Sequence, residues 1–245
     1  MYVEEYSTYL MLPDSQTETE KIALIKASAL QKYFPDGKEK RIIFDALNLE
    51  IFPSESISII GPSGSGKSTL LHILGLLDNP TEGSLFLNGE DTKNWSTKIK
   101  AKYRASSMGF VFQKHFLLGE LSLLENICLP LFKAGFNKDQ TIAKGETLLD
   151  MMELTHRKNA KPNQLSGGEC QRGAICRAII HEPTVLLMDE PTGSLDADRG
   201  KEVIQQILNL INPKKMACII VTHNLDFAKQ TDKSYQLSKT KLQAC

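Results

Sequence analysis

The sequence predicts an α/β protein built around a mostly parallel sheet. Apolar, β-branched runs of strand length alternate with longer segments of helical periodicity through most of the 245 residues. Two glycine-rich stretches each lead into a predicted helix, "GPSGSGKST" at 61–69 and "LSGGECQR" at 165–172. A helical stretch at about 115–165 interrupts the alternation. We interpret that stretch as an α-helical subdomain inserted into the α/β core.

Composition argues against several classes of protein. The hydrophobic content of 41% and charged content of 24% are typical of a chain with a substantial core. Lys and Arg balance Asp and Glu at 29 each, so no bulk charge points to a nucleic-acid partner. The five cysteines form no C-x-x-C pair, which argues against a zinc site or a secreted disulfide framework. Apolar runs too short for a membrane span and an acidic N-terminal segment lead us to expect a cytosolic protein.

The predicted elements follow one another in a regular order. A polar extension at 1–21, which we expect to be partly disordered, precedes a single domain at 22–245. Two short β-like runs at 22–28 and 46–52 are joined by a segment that contains the turn-rich residues 34–40. The core elements then predicted are strand 56–61, helix 69–77, strand 108–113, helix 171–181, strand 184–190, helix 198–211 and strand 216–223.

The first glycine-rich stretch has the pattern of a phosphate-binding loop. It matches G-x-x-x-x-G-K-[ST], with a predicted strand before it and a helix after it. Its glycines let successive backbone N–H groups face an anion, and the helix adds its positive N-terminal end. In this pattern Lys67 reaches the β- and γ-phosphates and Ser68 ligates Mg²⁺. The predicted phosphate-binding residues are Gly61, Pro62, Ser63, Gly64, Ser65, Gly66, Lys67, Ser68 and Thr69.

Polar side chains follow three of the predicted strands. Asp189 and Glu190 end "VLLMDE", at the carboxyl edge of the sheet where ligands of parallel sheets bind. Asp189 suits Mg²⁺ coordination, directly or through water, and Glu190 suits a base that orients and deprotonates a hydrolytic water. His223 ends "CIIVTH", and the same sheet should present it next to Glu190. Gln113 ends "GFVFQ", where its amide can reach both Mg²⁺ and the attacking water.

Taken together, the motifs resemble those of the nucleotide-binding subunits of ATP-binding cassette (ABC) transporters. The resemblance runs from about residue 22 to 240, and "LSGGE" discriminates most strongly, because other phosphate-loop ATPases and kinases lack it. It implies a P-loop NTPase core, an N-terminal antiparallel β subdomain, and ATP with Mg²⁺ as cofactors. The motifs that carry it are, in order, residues 61–69, Gln113, "LSGGE" at 165–169, "VLLMDE", "GSLD" at 193–196 and His223.

The resemblance also implies a use for the second glycine-rich stretch. In this family two subunits pair head to tail, and each signature loop closes over the ATP held by the other subunit's phosphate loop. Asp196 would lie at the dimer seam, and the adenine would stack on Phe34, with Tyr33 as the alternative and a core aromatic role also open. The signature residues expected to act in trans are Leu165, Ser166, Gly167, Gly168 and Glu169.

The segment "GFVFQKHFLLGELSLLENICLPL" resembles one subgroup, the ATPases of lipoprotein release, macrolide efflux and cell division. A stand-alone chain favours lipoprotein release. We therefore predict an ATPase subunit that powers a separate membrane permease from the cytoplasmic face of the inner membrane. We expect it to pair head to tail with a second copy of itself, as the family resemblance implies. We expect residues 114–131 to line the permease contact through Phe116, Leu117 and Leu118, for which a core role is nearly as well supported. The alternative function is a soluble ABC ATPase without a permease, as in iron–sulfur cluster assembly.

Overall fold

The computed structural model describes residues 22–37, 39–193, 200, 203–208, 216–238 and 240–245. The predicted N-terminal extension at 1–21 and Asp196 lie outside the described residues. The described chain contains a four-stranded antiparallel sheet and a six-stranded, mostly parallel sheet. Helices follow the strands of the parallel sheet, so the chain has the α/β architecture that the alternating pattern predicts.

The antiparallel sheet begins with a long hairpin. Strand β1 (Ile25–Asp36) pairs with β2 (Glu39–Ile51), and the chain reverses at Gly37, whose φ is +62°. The turn-rich segment 34–40 therefore belongs mostly to the two strands, because pairing continues from Phe34↔Arg41 to Asp36↔Glu39. On its other edge β1 pairs with β4 (Glu82–Leu87), which pairs with β5 (Glu90–Asp91).

The parallel sheet holds its most apolar strands in the centre. Its strand order is β10-β9-β3-β8-β7-β6, and the edge strand β10 runs antiparallel to β9. The central strands read as continuous buried runs, as expected for strands covered on both faces. The six strands are β3 (Ser56–Ile60), β6 (Met108–Val111), β7 (Val185–Asp189), β8 (Ala217–Thr222), β9 (Lys233–Ser238) and β10 (Lys241–Ala244).

Polar caps define where the helices begin. Ser122 and Glu125 form a reciprocal capping box at the start of the helix Leu123–Lys133, and Asn137 accepts two backbone N–H groups at the start of the helix Lys138–Met151. Helical backbone is also present at 203–208. The helices are α1 (Lys67–Leu74), α2 (Thr97–Ser107), α3 (Leu123–Lys133), α4 (Lys138–Met151), α5 (Gly167–Ile179) and α6 (Leu225–Ala228).

Two hydrophobic clusters fill the interior. One cluster lies between the antiparallel sheet, α1 and the side chains on one face of the parallel sheet. It contains the fully buried Phe44. The other joins α3, α4 and α5 to the opposite set of strand side chains and contains Phe227. No helix within the described residues is long and apolar enough to cross a membrane.

All five cysteines of the chain are free thiols with different exposure. Cys245 is exposed, and the other four are buried. Burial raises the pKa of the Cys128 thiol to about 11 and that of Cys176 to about 12. Burial likewise raises the pKa values of Cys170 and Cys218. The buried thiols therefore act as small core side chains.

Candidate functional site

The phosphate-binding loop joins β3 to α1 and depends on glycine at specific positions. The backbone is left-handed at Gly64, with φ +77°, and at Gly66, with φ +97°, a region that glycine adopts without a Cβ penalty. A Cβ on Gly66 would also overlap the Ile43 side chain, and a Cβ on Gly61 would overlap the Leu237 carbonyl. The loop is thus packed closely against β2 and β9, with its backbone turned back towards the start of α1.

The loop holds a lysine side chain and a serine hydroxyl whose hydrogen-bonding capacity the protein uses only in part. Lys67 is buried, and its Nζ donates to the carbonyls of Gly61 at 2.8 Å and Pro62 at 3.1 Å. Within the described residues, the buried Ser65 hydroxyl has no hydrogen-bond partner. A bound phosphate would supply acceptors for both groups, so the loop has the chemistry of an anion site.

Ser68 and Asp189 bring two hard oxygen donors together beside the loop. The Ser68 hydroxyl donates to Asp189 Oδ1 at 3.1 Å. Burial raises the pKa of the Asp189 carboxyl, and the Ser68 hydrogen bond opposes that rise. Hydroxyl and carboxylate oxygens suit Mg²⁺. The described residues contain no group of three or more His, Cys, Asp or Glu that could hold a metal.

Glu190 lies at the end of β7 among donors from β8. Its Oε2 accepts from the Thr222 hydroxyl at 3.1 Å and the His223 backbone N–H at 3.3 Å, and it lies 3.0 Å from His223 Nδ1. The Glu190 side chain is 13% exposed, whereas that of His223 is 70% exposed. Glu190 also has a left-handed φ of +46°, a strained conformation for a residue with a Cβ. The structure thus brings together the two side chains that the sequence placed at neighbouring strand ends.

Gln113 extends past the end of β6 towards the same place. A Cβ on Gly193 would lie 3.8 Å from Gln113 Nε2 and 3.5 Å from the Glu190 Cβ. The Gly193 N–H donates to the Glu190 carbonyl at 3.0 Å. Gln113, Asp189, Glu190 and His223 therefore gather at one edge of the parallel sheet.

The signature loop forms the N-terminus of α5. Ser166 is the N-cap, accepting from the Glu169 N–H, while Glu169 Oε2 accepts from the Ser166 N–H at 2.7 Å. The Ser166 backbone hydrogen bond and, to a smaller extent, Arg157 lower the pKa of the Glu169 carboxyl from 4.5 to about 2, although burial opposes this fall. A Cβ added to Gly167 would meet nothing within 4 Å. In a single chain this end of the helix is therefore open.

The remaining signature residues, Leu165 and Gly168, lie beside the open end of the helix. Leu165 packs against the cluster that contains α5, and Gly168 lies in the first turn of the helix. No hydrogen bond or ion pair within the described chain joins the signature loop to the phosphate loop.

The adenine candidates lie on β1 near the hairpin turn. The Phe34 side chain is exposed, and the Lys32 Nζ lies 5.1 Å from its ring centre. The Tyr33 ring is partly exposed beneath the Lys40 Nζ, at 4.2 Å. Both rings remain available for stacking.

The segment after Gln113 is clamped by residues that sequence reasoning missed. The Arg177 guanidinium donates to the carbonyls of His115 and Phe116, and Gln171 Oε1 contacts His115 Nδ1. The fully buried Asn126 bonds both backbone groups of Leu118. A lone amide within the apolar run "LLENICLPL" was the available signal for Asn126.

The three apolar side chains of that segment differ in exposure. Phe116 is 61% exposed and Leu118 is 45% exposed. Leu117 instead packs against the core cluster formed by α3 to α5. Of the three predicted contact residues, Phe116 and Leu118 therefore present most of the apolar surface to solvent.

The sequence of the chain is similar to those of known proteins. Residues 44–193 match the family model described as ABC transporter. The chain is 43% identical over 214 residues to the lipoprotein-releasing system ATP-binding protein LolD of Shewanella denitrificans, covering 87% of this chain and 92% of the relative. It is 41% identical over 229 residues to LolD of Xanthomonas euvesicatoria pv. vesicatoria, covering 93% of each.

A solved structure extends the likeness to three dimensions. It is the dimeric ATP-binding cassette MJ0796 in a post-hydrolysis state bound to ADP and Pi. It matches with a TM-score of 0.83 at 35% identity, covering 89% of this chain and 96% of that one.

Proposed function

The chain belongs to the ABC transporter family, and on that premise we propose that it is the ATP-hydrolysing subunit of a transporter of the lipoprotein-releasing type. The observation that carries the proposal is the arrangement at the carboxyl edge of the parallel sheet. There the Ser68 hydroxyl meets Asp189, and the Glu190 carboxylate meets His223, directly beside the phosphate loop.

We assign the chemical steps to the chain's own residues. Lys67 and the loop N–H groups bind the β- and γ-phosphates, and Glu190 orients the attacking water and accepts its proton. His223 and Gln113 position the water and the γ-phosphate. Ser68 and Asp189 would hold Mg²⁺, which supplies positive charge to the phosphate oxygens when bound.

We propose that two copies pair head to tail to complete two ATP sites. Gly167 leaves room at the end of α5, and Ser166 with the backbone of Gly167 and Gly168 can approach a γ-phosphate held by the other copy. The dimeric state of the structural relative supports this pairing. Asp196 would lie at the seam between the copies.

We place the pair on the cytoplasmic face of the inner membrane, against a separate permease. The LolD relatives are named for lipoprotein release, and the likeness spans nearly their whole length. The exposed Phe116 and Leu118 are the apolar side chains best placed to contact the permease, because Arg177 and Asn126 hold their backbone in one shape.

The test uses Glu190→Gln, which keeps the size of the side chain and removes the base. We expect ATP binding to persist while the ATPase rate falls by about 100-fold or more. Tagged Glu190→Gln protein would be recovered from detergent-solubilised cells with ATP and Mg²⁺, and its partners identified by mass spectrometry. Lys67→Ala is the control, since it should bind ATP poorly.

The partner profile decides between the two functions. A stoichiometric multi-span membrane protein recovered with Glu190→Gln supports the transporter, and its amount with Lys67→Ala reports how far the recovery depends on bound ATP. Soluble partners alone, with the protein absent from the membrane fraction, would instead favour an ABC ATPase without a permease.

A further inference from the structure

The signature loop carries a negative charge, which would oppose closure of the loop on a negatively charged triphosphate. The Glu169 side chain is only 12% exposed, and its carboxyl stays ionised because its pKa is held at about 2. Its Oε2 lies 2.7 Å from the backbone nitrogen of Ser166, the residue that would approach a triphosphate under the proposed function. Like charges brought together as water is excluded oppose association, so this carboxylate would resist dimer closure unless a cation balanced it.

The two oxygens of Glu169 have separate partners. Oε2 accepts from the Ser166 N–H and so shapes the loop. Oε1 accepts from Arg157 Nε at 2.8 Å, and His156 Nε2 is 4.0 Å from the same oxygen. Arg157 lies in the 3₁₀ turn Thr155–Arg157, outside the signature motif. It therefore delivers a permanent positive charge to the loop without occupying the face where Gly167 is open.

Helix polarity makes this compensation necessary. The N-terminus of α5 has a partial positive charge that could attract the γ-phosphate, but the Glu169 carboxylate already occupies part of that field. A guanidinium bound to the carboxylate returns the local charge to near neutral. The backbone N–H groups at the start of α5 can then attract an incoming phosphate.

We propose that Arg157 is a positioning residue of the ATP site formed between two copies: it neutralises Glu169 so that the signature loop can close on the partner-bound γ-phosphate. The inference rests on the proposed function, because it needs the head-to-tail pair. It goes further by assigning to a residue outside the motif the control of how readily ATP drives closure.

Lys158, the next residue, offers a matched control. Its Nζ pairs with Glu146 at 2.9 Å, and its side chain is 42% exposed, against 43% for Arg157. Both pairs join the same stretch of chain to a helix, but Glu146 belongs to α4 and not to the signature loop. Lys158→Ala removes a similar surface pair from the same subdomain while leaving the charge beside Ser166 unchanged.

The experiment measures ATP-driven dimerisation of the full chain by light scattering, with Glu190→Gln as the parent. We expect Arg157→Ala in the parent to need about tenfold more ATP for half-maximal dimerisation, whereas Lys158→Ala stays within about twofold. Binding of a fluorescent ATP analogue to the monomer should be unchanged, because Lys67 and its loop are intact. The defect should shrink between about 50 and about 500 mM salt, since salt screens the repulsion between the two negatively charged groups while they are still separated by water.

A second substitution separates charge from shape. Glu169→Gln keeps an acceptor for the Ser166 N–H but removes the charge, so adding it to Arg157→Ala should restore dimerisation to within about twofold of the parent. Arg157→Lys should retain dimerisation, and Arg157→Gln, which keeps a donor without the charge, should fail as Arg157→Ala does. Thermal unfolding identifies any variant whose fold is lost.

Three outcomes would overturn the inference. Normal dimerisation of Arg157→Ala would show that the Glu169 charge needs no compensating cation. Failure of Glu169→Gln to rescue Arg157→Ala would assign Arg157 to loop shape alone. A Glu190→Gln parent that stays monomeric with ATP would refute the pairing in the proposed function itself, which the other two outcomes leave intact.

Discussion

Gly66 illustrates how the absence of one Cβ allows the phosphate loop to form. It combines a φ of +97° with the Ile43 side chain of β2 in the space that a Cβ would take, so an added methyl group meets both a backbone and a packing penalty. Gly64 has a similar φ but open space around it. Substitutions at the two glycines therefore distinguish the energetic cost of backbone strain from that of close packing within one loop.

We expect Gly66→Ala to lower the free energy of unfolding by about 2–4 kcal/mol, and Gly64→Ala by about 1–2 kcal/mol, because only the first adds a clash to the strain. Removing the clashing methyl with Ile43→Ala should make the Gly66→Ala change less costly when measured in that background. Urea unfolding of the nucleotide-free variants measures both effects. Equal losses at the two glycines would contradict the role of Ile43.

The Glu169 carboxyl should make stability depend on pH. Its pKa falls from the ordinary 4.5 to about 2 on folding, so its contribution is complete above pH 4.5 and is lost as the pH falls towards about 2. We expect Glu169→Gln to cost about 1–2 kcal/mol near pH 7 and less near pH 3.5. Urea unfolding of both proteins at each pH checks this. A difference that stays constant with pH would refute the assignment.

At the scale of elements, α3 and the segment that precedes it are joined by one buried amide. Asn126 accepts from the Leu118 N–H at 2.7 Å and donates to the carbonyls of Leu118, Leu121 and Ser122. With no exposed surface, these groups cannot turn to water if the amide is removed. The helix therefore fixes the path of the chain between Gln113 and the capping box.

Asn126→Ala should lower the free energy of unfolding by about 2–4 kcal/mol, because it leaves buried backbone groups unpaired. Asn137→Ala, which removes an exposed cap of α4, should cost only about 1 kcal/mol. Chemical denaturation of the two variants under identical conditions makes the comparison. Similar losses would show that water reaches the groups around residue 126.

The success of sequence-based prediction differed among the elements for physical reasons. The central strands were predicted because burial on both faces leaves continuous apolar runs such as "VLLM" and "CIIV". β9 and the edge strand β10 were missed because both keep polar side chains, as in "KSYQLS" of β9. The β1–β2 hairpin is longer than predicted, since Pro, Asp and Lys near its turn still take part in strand pairing.

In the candidate site, too, some residues could be predicted from the sequence and others could not. The strand-end residues Asp189, Glu190 and His223 follow buried runs, so their common edge could be predicted. Arg157 and Arg177 could not, because each bonds to a partner on a different element of the chain. Their contacts depend on how the helices pack, which a local pattern does not contain.

For the whole molecule, a head-to-tail pair predicts that two defective copies can complement each other. Gly167→Leu should fold normally, because space is open above Gly167, yet block the approach of a partner's nucleotide. Lys67→Ala should lose ATP binding in its own loop and keep its signature loop. Each variant alone should be inactive.

A mixture of Gly167→Leu and Lys67→Ala contains dimers with one intact site. If copies pair at random, half of the dimers are mixed, and ATPase activity should return to about one quarter of the wild-type value at most. A steady-state phosphate-release assay on the mixture measures it. Absence of any recovery, with mixed dimers demonstrated by tagged pull-down, would argue against sites shared between copies.

The uneven burial of the thiols makes the protein ready for site-directed labelling. A maleimide reacts with accessible thiolates, and Cys245 is the exposed cysteine of the five, while burial raises the pKa of each of the others. A dye can thus be attached at one position without first removing the native cysteines. Donor-labelled and acceptor-labelled copies, mixed and given ATP, would then report association and release of the pair as energy transfer in real time.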